Sequence, residues 1–185
     1  MKPSAENFTR AIDLYLAKHG QTCTFLGRSF PVDVPESDQK TQVGIGLQMA
    51  AVEQAGLVHS SSTVAAGPGM FGPSATRRVK RYELISEGKN YLKQTPGIFG
   101  QTASFCYGQK TVESIVRWTE PATMGPYSQT EVSYTYKIVN LAGWATQPDV
   151  QRAFSDIRTT VHGASRTNQI AGLQLTNKGW EVPGK

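Results

Sequence analysis

Apolar positions recur at helical spacing from the start of the chain. Phe8, Ile12, Tyr15 and Leu16 fall on one face, behind Ser4, whose hydroxyl suits an N-cap. The pattern predicts a helix to about Lys18, with Lys18 and His19 in its last turn and Gly20 as its stop. Residues 21–40 lack a clear period, and Pro31 and Pro35 exclude a helix there, so that stretch reads as an extended loop. A second helix is expected from Thr41 to Ala55 with Val43, Leu47, Ala50, Ala51 and Gln54 or Ala55 facing inward. Gly56 and Leu57 form the C′ glycine and apolar C″ residue that end it.

Alternation then replaces the helical period. Strands are predicted over Leu57–Ala65 and Val79–Ile85, around a Gly- and Pro-rich loop at 66–76, with a turn at Ser86-Glu87-Gly88. A second Gly/Pro break at 94–101 marks the expected boundary between two halves. Beyond it Thr102–Tyr107, Thr111–Trp118 and Thr130–Asn140 are rich in β-branched and aromatic residues. In the last of these Val132, Tyr134, Tyr136 and Ile138 alternate with Glu131, Ser133, Thr135 and Lys137, one face buried and one wet. Thr146 is the expected cap of a third helix with Pro148 in its first turn and a Val150, Phe154, Ile157 stripe. Strands near Asn168–Thr176 and Trp180–Val182 close the chain around Asn177-Lys178-Gly179.

These elements predict an α+β fold of three helices packed on antiparallel sheet. It is read as a single domain over 1–185 with two subdomains: 1–93, helix-rich with a β-hairpin, and 102–185, β-rich with one helix. Hydrophobic residues make up 38% of the chain and charged ones 18%, so it can build a core and is not a charge-solvated disordered chain. No stretch reaches the roughly 20 apolar residues needed to span a bilayer as a helix. Residues 1–20 carry Glu6, Asp13 and Lys18 in an amphipathic pattern, unlike a secretory leader. An exported chain with its leader removed and a cytosolic chain would look alike at this end.

The net charge of +5 favours acidic partners, although it also suffices simply to keep a domain in solution. The densest basic cluster is Arg77, Arg78, Lys80 and Arg81, with Lys89 close behind. It is a candidate anion or nucleic-acid patch, or else a charged strand guarding a sheet edge. Trp144, in Leu141-Ala142-Gly143-Trp144-Ala145, and Met70 and Phe71 in the 66–76 loop are candidate partner-surface residues.

Chemistry-bearing motifs are absent. There is no phosphate-binding glycine loop, no dinucleotide fingerprint and no G-x-S-x-G elbow, and His19, His59 and His162 share no i, i+4 spacing. Neither a catalytic residue, a metal nor a cofactor is expected. Cys23 and Cys106 lie 83 positions apart, outside any zinc-ligand spacing. They are either one long-range disulfide, worth ~4 kcal/mol in the loop-entropy account, or two buried thiols. The even, minimal count beside a polar surface leans toward the disulfide.

Two resemblances follow. Val52-Glu53-Gln54-Ala55-Gly56-Leu57-Val58, followed by Arg81-Tyr82-Glu83-Leu84-Ile85-Ser86-Glu87-Gly88-Lys89, resembles a winged-helix domain over residues 42–92. That would make the N-terminal half winged-helix-like and the basic cluster its wing. The second helix carries no Arg or Lys after Thr41, however, which leaves it without cations for phosphate rails. More broadly, the chain resembles a family of exported, lipoprotein-like proteins of Gram-negative bacteria without an assigned activity. The resemblance rests on the order of Ala11-Ile12-Asp13-Leu14-Tyr15-Leu16, Cys23, Phe30-Pro31-Val32-Asp33-Val34, Arg81-Tyr82-Glu83-Leu84, Phe105-Cys106, Trp118-Thr119-Glu120-Pro121, Val132-Ser133-Tyr134-Thr135-Tyr136-Lys137 and Trp144.

That resemblance implies export, to the periplasm or an outer-membrane anchorage, and a Cys23–Cys106 bond. The functional expectation is a non-enzymatic monomer that binds an envelope protein or a small apolar ligand. The alternatives are a cytosolic winged-helix nucleic-acid binder and a cysteine-dependent hydrolase.

Overall fold

The computed structural model describes residues 2–184 apart from Gln42, 67–74 and Phe99, and apart from the side chain of Met124. In chain order the elements are α1 (Ala5–His19), β1 (Gln21–Phe25), β2 (Val32–Pro35), α2 (Ile45–Gln54), β3 (Val58–Ala66) and β4 (Thr76–Leu84). They continue with α3 (Ser86–Tyr91), β5 (Leu92–Gly97), β6 (Gly100–Trp118), β7 (Ala122–Met124) and β8 (Tyr127–Val139), and then α4 (Pro148–Ala153), α5 (Ser155–Gly163), β9 (Gln169–Thr176) and β10 (Gly179–Glu181). The class is α+β, as expected, but the described residues hold five α-helices rather than three, and their strands form two sheets.

The chain divides into two compact units, each discontinuous in sequence: Met1–Thr22, Tyr107–Ala142 and Thr159–Lys185 in the first, Cys23–Cys106 and Gly143–Arg158 in the second. Within the Gly/Pro stretch expected to separate two halves, residues 94–97 pair antiparallel with residues 100–103 as β5 and β6.

In the first unit the Ser4 side chain accepts the Asn7 N–H and starts α1. Phe8, Ala11, Ile12 and Leu16 are buried against Val112, Val132, Tyr134, Tyr136, Leu173 and Trp180. Phe8 contacts Trp118 and Trp180 edge-on, with ring centroids 5.4 and 5.3 Å away. The Asp13 carboxylate accepts the Val112 N–H at 2.7 Å, and the Gln109 amide donates to the Leu16 carbonyl, so the C-terminal half of α1 is tied to β6. β8 pairs antiparallel with β6 and with β9, which pairs with β10.

The alternation along β8 holds except at Ser133, which is buried on the face expected to be wet. The strands expected at Thr102–Tyr107 and Thr111–Trp118 are one strand, because β6 runs through Gly108 between them. A Cβ there would lie 2.4 Å from Ile138 Cγ2, so the glycine answers a close approach within the sheet rather than a turn.

In the second unit the expected 21–40 loop contains β1 and β2, because both find partners distant in sequence. β1 lies beside β6, and β2 pairs with β4 from Val32↔Tyr82 to Pro35↔Val79. β3 and β4 form the predicted hairpin, in register from Val58↔Leu84 to Ala66↔Thr76. Ser86-Glu87-Gly88, expected as a turn, begins a short helix over Ser86–Tyr91.

α2 starts later than expected and faces a different way, burying Gly46, Met49, Ala51 and Val52 and leaving Val43 and Ala50 exposed. Its end follows the sequence closely. Gly56 has φ +79°, its N–H bonds to the Glu53 carbonyl, and the Leu57 N–H bonds to the Val52 carbonyl. Open space surrounds a Cβ at Gly56. Gly56→Ala therefore incurs only the left-handed backbone penalty, expected as about 1–2 kcal/mol lost in urea unfolding. A neutral variant would contradict this.

Thr146 does not cap α4. Its hydroxyl closes the preceding 3-10 turn by donating to the Gly143 carbonyl, and Gln147 takes the N-cap position ahead of Pro148. The Val150, Phe154, Ile157 stripe is buried as predicted, although Phe154 is extended and splits the expected helix into α4 and α5. Cys23 on β1 and Cys106 on β6 are joined by a disulfide.

Candidate functional site

A surface cavity of about 430 Å3 lies in the first unit between α1 and the β9–β10 hairpin with the segment after it. The helix builds one wall by carrying two apolar stripes instead of one. At the edge of the core face, Ala11, Leu14 and Tyr15 form the second stripe at i, i+3, i+4, Lys18 follows at i+7, and all four line the cavity. Tyr15, expected in the core, is on this rim, stacked on the His19 ring with centroids 4.5 Å apart. Leu14 is 65% exposed, an apolar side chain that the fold leaves uncovered.

The opposite wall is Gln174, Thr176, Trp180, Glu181, Val182, Pro183 and Gly184. Thr176 fixes the Glu181 carboxylate with a 3.2 Å hydrogen bond. Trp180 is 5% exposed, and its buried indole N–H has no hydrogen-bond acceptor among the described residues. An apolar floor with a lysine, a histidine and a fixed carboxylate at the rim can hold a small, largely apolar molecule and orient one polar group on it. None of these groups forms a nucleophile–base pair.

The basic cluster on β4 is divided by its own pairing. Arg81 grips Asp33 with two bonds, Nε to Oδ1 at 2.7 Å and Nη2 to Oδ2 at 2.8 Å. Lys80 contacts Glu53 at 3.3 Å, and Glu53 also accepts the Ser60 hydroxyl. Burial raises the Glu53 carboxyl, but the Ser60 hydrogen bond and the Lys80 charge outweigh it and leave the group below its ordinary range. Arg77 and Arg78 are exposed, and neither forms an ion pair among the described residues.

The Arg81 hydrogen bonds, helped by the Arg81 charge, hold the Asp33 carboxyl below its ordinary value of 3.8 against a smaller opposing effect of burial. A lowered carboxyl stabilises the fold above its unfolded-state value and loses that contribution as pH falls through the folded-state value. Asp33→Asn is accordingly expected to lie below wild type in stability at neutral pH and to converge with it in acid. Thermal unfolding across a pH series checks this, and a gap independent of pH would refute it.

Trp144 is not at a surface. It is 6% exposed, with Tyr91 and Phe105 edge-on at 5.7 and 6.1 Å, because Gly143–Thr146 folds into a 3-10 turn that turns the ring inward. Met70 and Phe71 lie outside the described residues. Cys23 and Cys106 share one bond, and a sulfur in a disulfide is not a thiolate nucleophile. His59 sits 3.6 Å from Glu83 with both side chains exposed. Among the described residues no group of three His, Cys, Asp or Glu side chains could hold a metal ion.

The α1 cavity was missed because its walls lie more than a hundred positions apart in sequence. The one local signal was Leu14, apolar yet off the core face.

The structure thus defines an α+β protein with a disulfide, no described helix long and apolar enough to cross a membrane, and a half-apolar cavity on one unit. No family model, curated protein or solved structure matches the chain.

Proposed function

We propose that this chain is a non-enzymatic exported protein, periplasmic or held at the outer membrane, that binds a small, largely apolar ligand in the cavity beside α1. The observation that carries the proposal is the second apolar stripe of α1, with Leu14 uncovered beside Tyr15 and Trp180 around about 430 Å3 of space. On a helix that only packs on its sheet, position 14, off the core face, is ordinarily polar. The Cys23–Cys106 bond supports export, since such bonds persist in oxidising compartments.

N-Phenyl-1-naphthylamine, an uncharged apolar fluorophore, tests the cavity. Its emission is expected to rise on titration with the protein, and Leu14→Glu is expected to weaken binding by about tenfold or more, since burying a leucine is worth roughly 1.5–3 kcal/mol. Leu14 is exposed, so the variant keeps its fold. No enhancement, or enhancement unchanged in Leu14→Glu, would overturn the proposal.

The alternative is a cytosolic winged-helix nucleic-acid binder. It rests on α2 leading into the β3–β4 hairpin and on exposed Arg77 and Arg78. It requires a salt-dependent mobility shift that disappears when Arg77, Arg78, Lys80 and Arg81 are neutralised. No shift even at low salt would remove this alternative.

A further inference from the structure

The second unit carries a larger cleft, about 850 Å3, between the turn that follows β1 and the β5–β6 hairpin. Phe25 and Ile98 stand on its rim, 64% and 94% exposed, beside Arg28 and Arg77. We infer that this cleft docks on anionic bilayer surfaces, with Arg28 and Arg77 against lipid phosphates and Phe25 and Ile98 in the acyl boundary.

Three observations lead there. The cations at the rim are exposed, and among the described residues Arg28 and Arg77 form no ion pair. The acid in the cleft, Asp33, is held by two bonds from Arg81 and also feels the Arg77 charge, so one carboxylate stands against Arg28, Arg77 and Arg81. The cleft therefore presents positive charge and apolar surface together, the combination that holds peripheral proteins to anionic membranes.

The backbone beneath is firm. The Leu26 N–H bonds to the Ala103 carbonyl at 3.0 Å, and the Ala103 N–H bonds to the Arg28 carbonyl at 2.9 Å. Thr95 and Thr102 hydrogen-bond across the β5–β6 hairpin at 3.2 Å, so the turn that carries Ile98 rises from paired strands. A small ligand inside the cleft would leave a side chain as exposed as Ile98 in water. A bilayer surface covers it. The net charge of +5 adds long-range attraction of the same sign.

This inference is independent of the α1 cavity, and its test keeps the two apart. The full chain is co-sedimented with vesicles of phosphatidylcholine, with and without phosphatidylglycerol. Binding is expected only where phosphatidylglycerol is present, and is expected to be lost in about 0.5 M NaCl. Arg28→Gln with Arg77→Gln is expected to weaken it about 30-fold, at about 1 kcal/mol for each arginine near the surface. Ile98→Asp is expected to weaken it as well, and Leu14→Glu to leave it unchanged. All four positions are exposed, and circular dichroism verifies that each variant is folded.

Absence of vesicle binding, or equal binding to phosphatidylcholine alone, would overturn the inference. So would binding that survives the double arginine variant, since that would reflect net charge alone. Competition by inorganic phosphate at equal ionic strength would also overturn it, by assigning the cleft to a free anion. Retention of an acidic protein in place of vesicles would assign it to a protein partner.

Discussion

Phe8→Ala is expected to lower the stability of the first unit by about 3–5 kcal/mol, the usual cost of deleting a fully buried aromatic ring. Phe8 is 0% exposed and is the side chain through which α1 meets two tryptophans at once, Trp118 and Trp180. Its removal leaves a cavity lined by rings too large to collapse into it, and also loses the edge-to-face contacts. Tryptophan fluorescence in urea reads the effect directly, because two of the three tryptophans report on the site. Leu14→Ala, six residues along the same helix but exposed, is the control and is expected to stay within about 0.5 kcal/mol of wild type. Equal losses in the two variants would mean that α1 does not pack through Phe8.

Removal of the Cys23–Cys106 bond has the other large effect. The bond links positions 83 apart and closes a loop containing β2, α2, β3, β4, α3 and β5. Loop-closure entropy for that length is about 4–5 kcal/mol, within a measured range for native disulfides of about 2–5 kcal/mol. Cys23→Ser with Cys106→Ser is expected to lose that much in urea unfolding, and the wild type to lose the same on reduction. Alkylation of the denatured, unreduced protein is expected to add no label by mass. Two added labels would remove the bond and the support it lends to an oxidising compartment.

Local rules made much of the fold legible. Ser4 announced α1, Gly56 and Leu57 announced the end of α2, and the alternation from Val132 to Ile138 announced β8. What escaped depended on partners distant in sequence. β1 and β2 are too short to show a period and exist because β6 and β4 lie beside them. The two strands expected on either side of Gly108 are one, and that glycine sits in the strand because a Cβ there would meet Ile138, a neighbour distant in sequence. Trp144 looked like a surface residue because its loop is rich in small residues, and only the packing of Tyr91 and Phe105 shows the ring turned inward.

The basic run at 77–81 shows the same limit in charge. Carboxylates at positions 33 and 53 hold Arg81 and Lys80, leaving two exposed arginines where the sequence displays four cations. The α1 cavity was the least legible feature, since half of each wall residue's meaning comes from the opposite wall. Leu14 alone carried a local mark of it.

A 1H–15N correlation spectrum of the protein titrated with N-phenyl-1-naphthylamine tests the binding claim most directly. Each of the three tryptophans contributes an indole N–H, and they occupy different surroundings: Trp180 at the cavity, Trp118 beside Phe8, and Trp144 packed between Tyr91 and Phe105. Shifts are expected to concentrate in residues 11–19 and 174–184, with the Trp180 indole among them, while the Trp144 indole stays unmoved. Shifts centred elsewhere, or a spectrum that does not change, would contradict the claim.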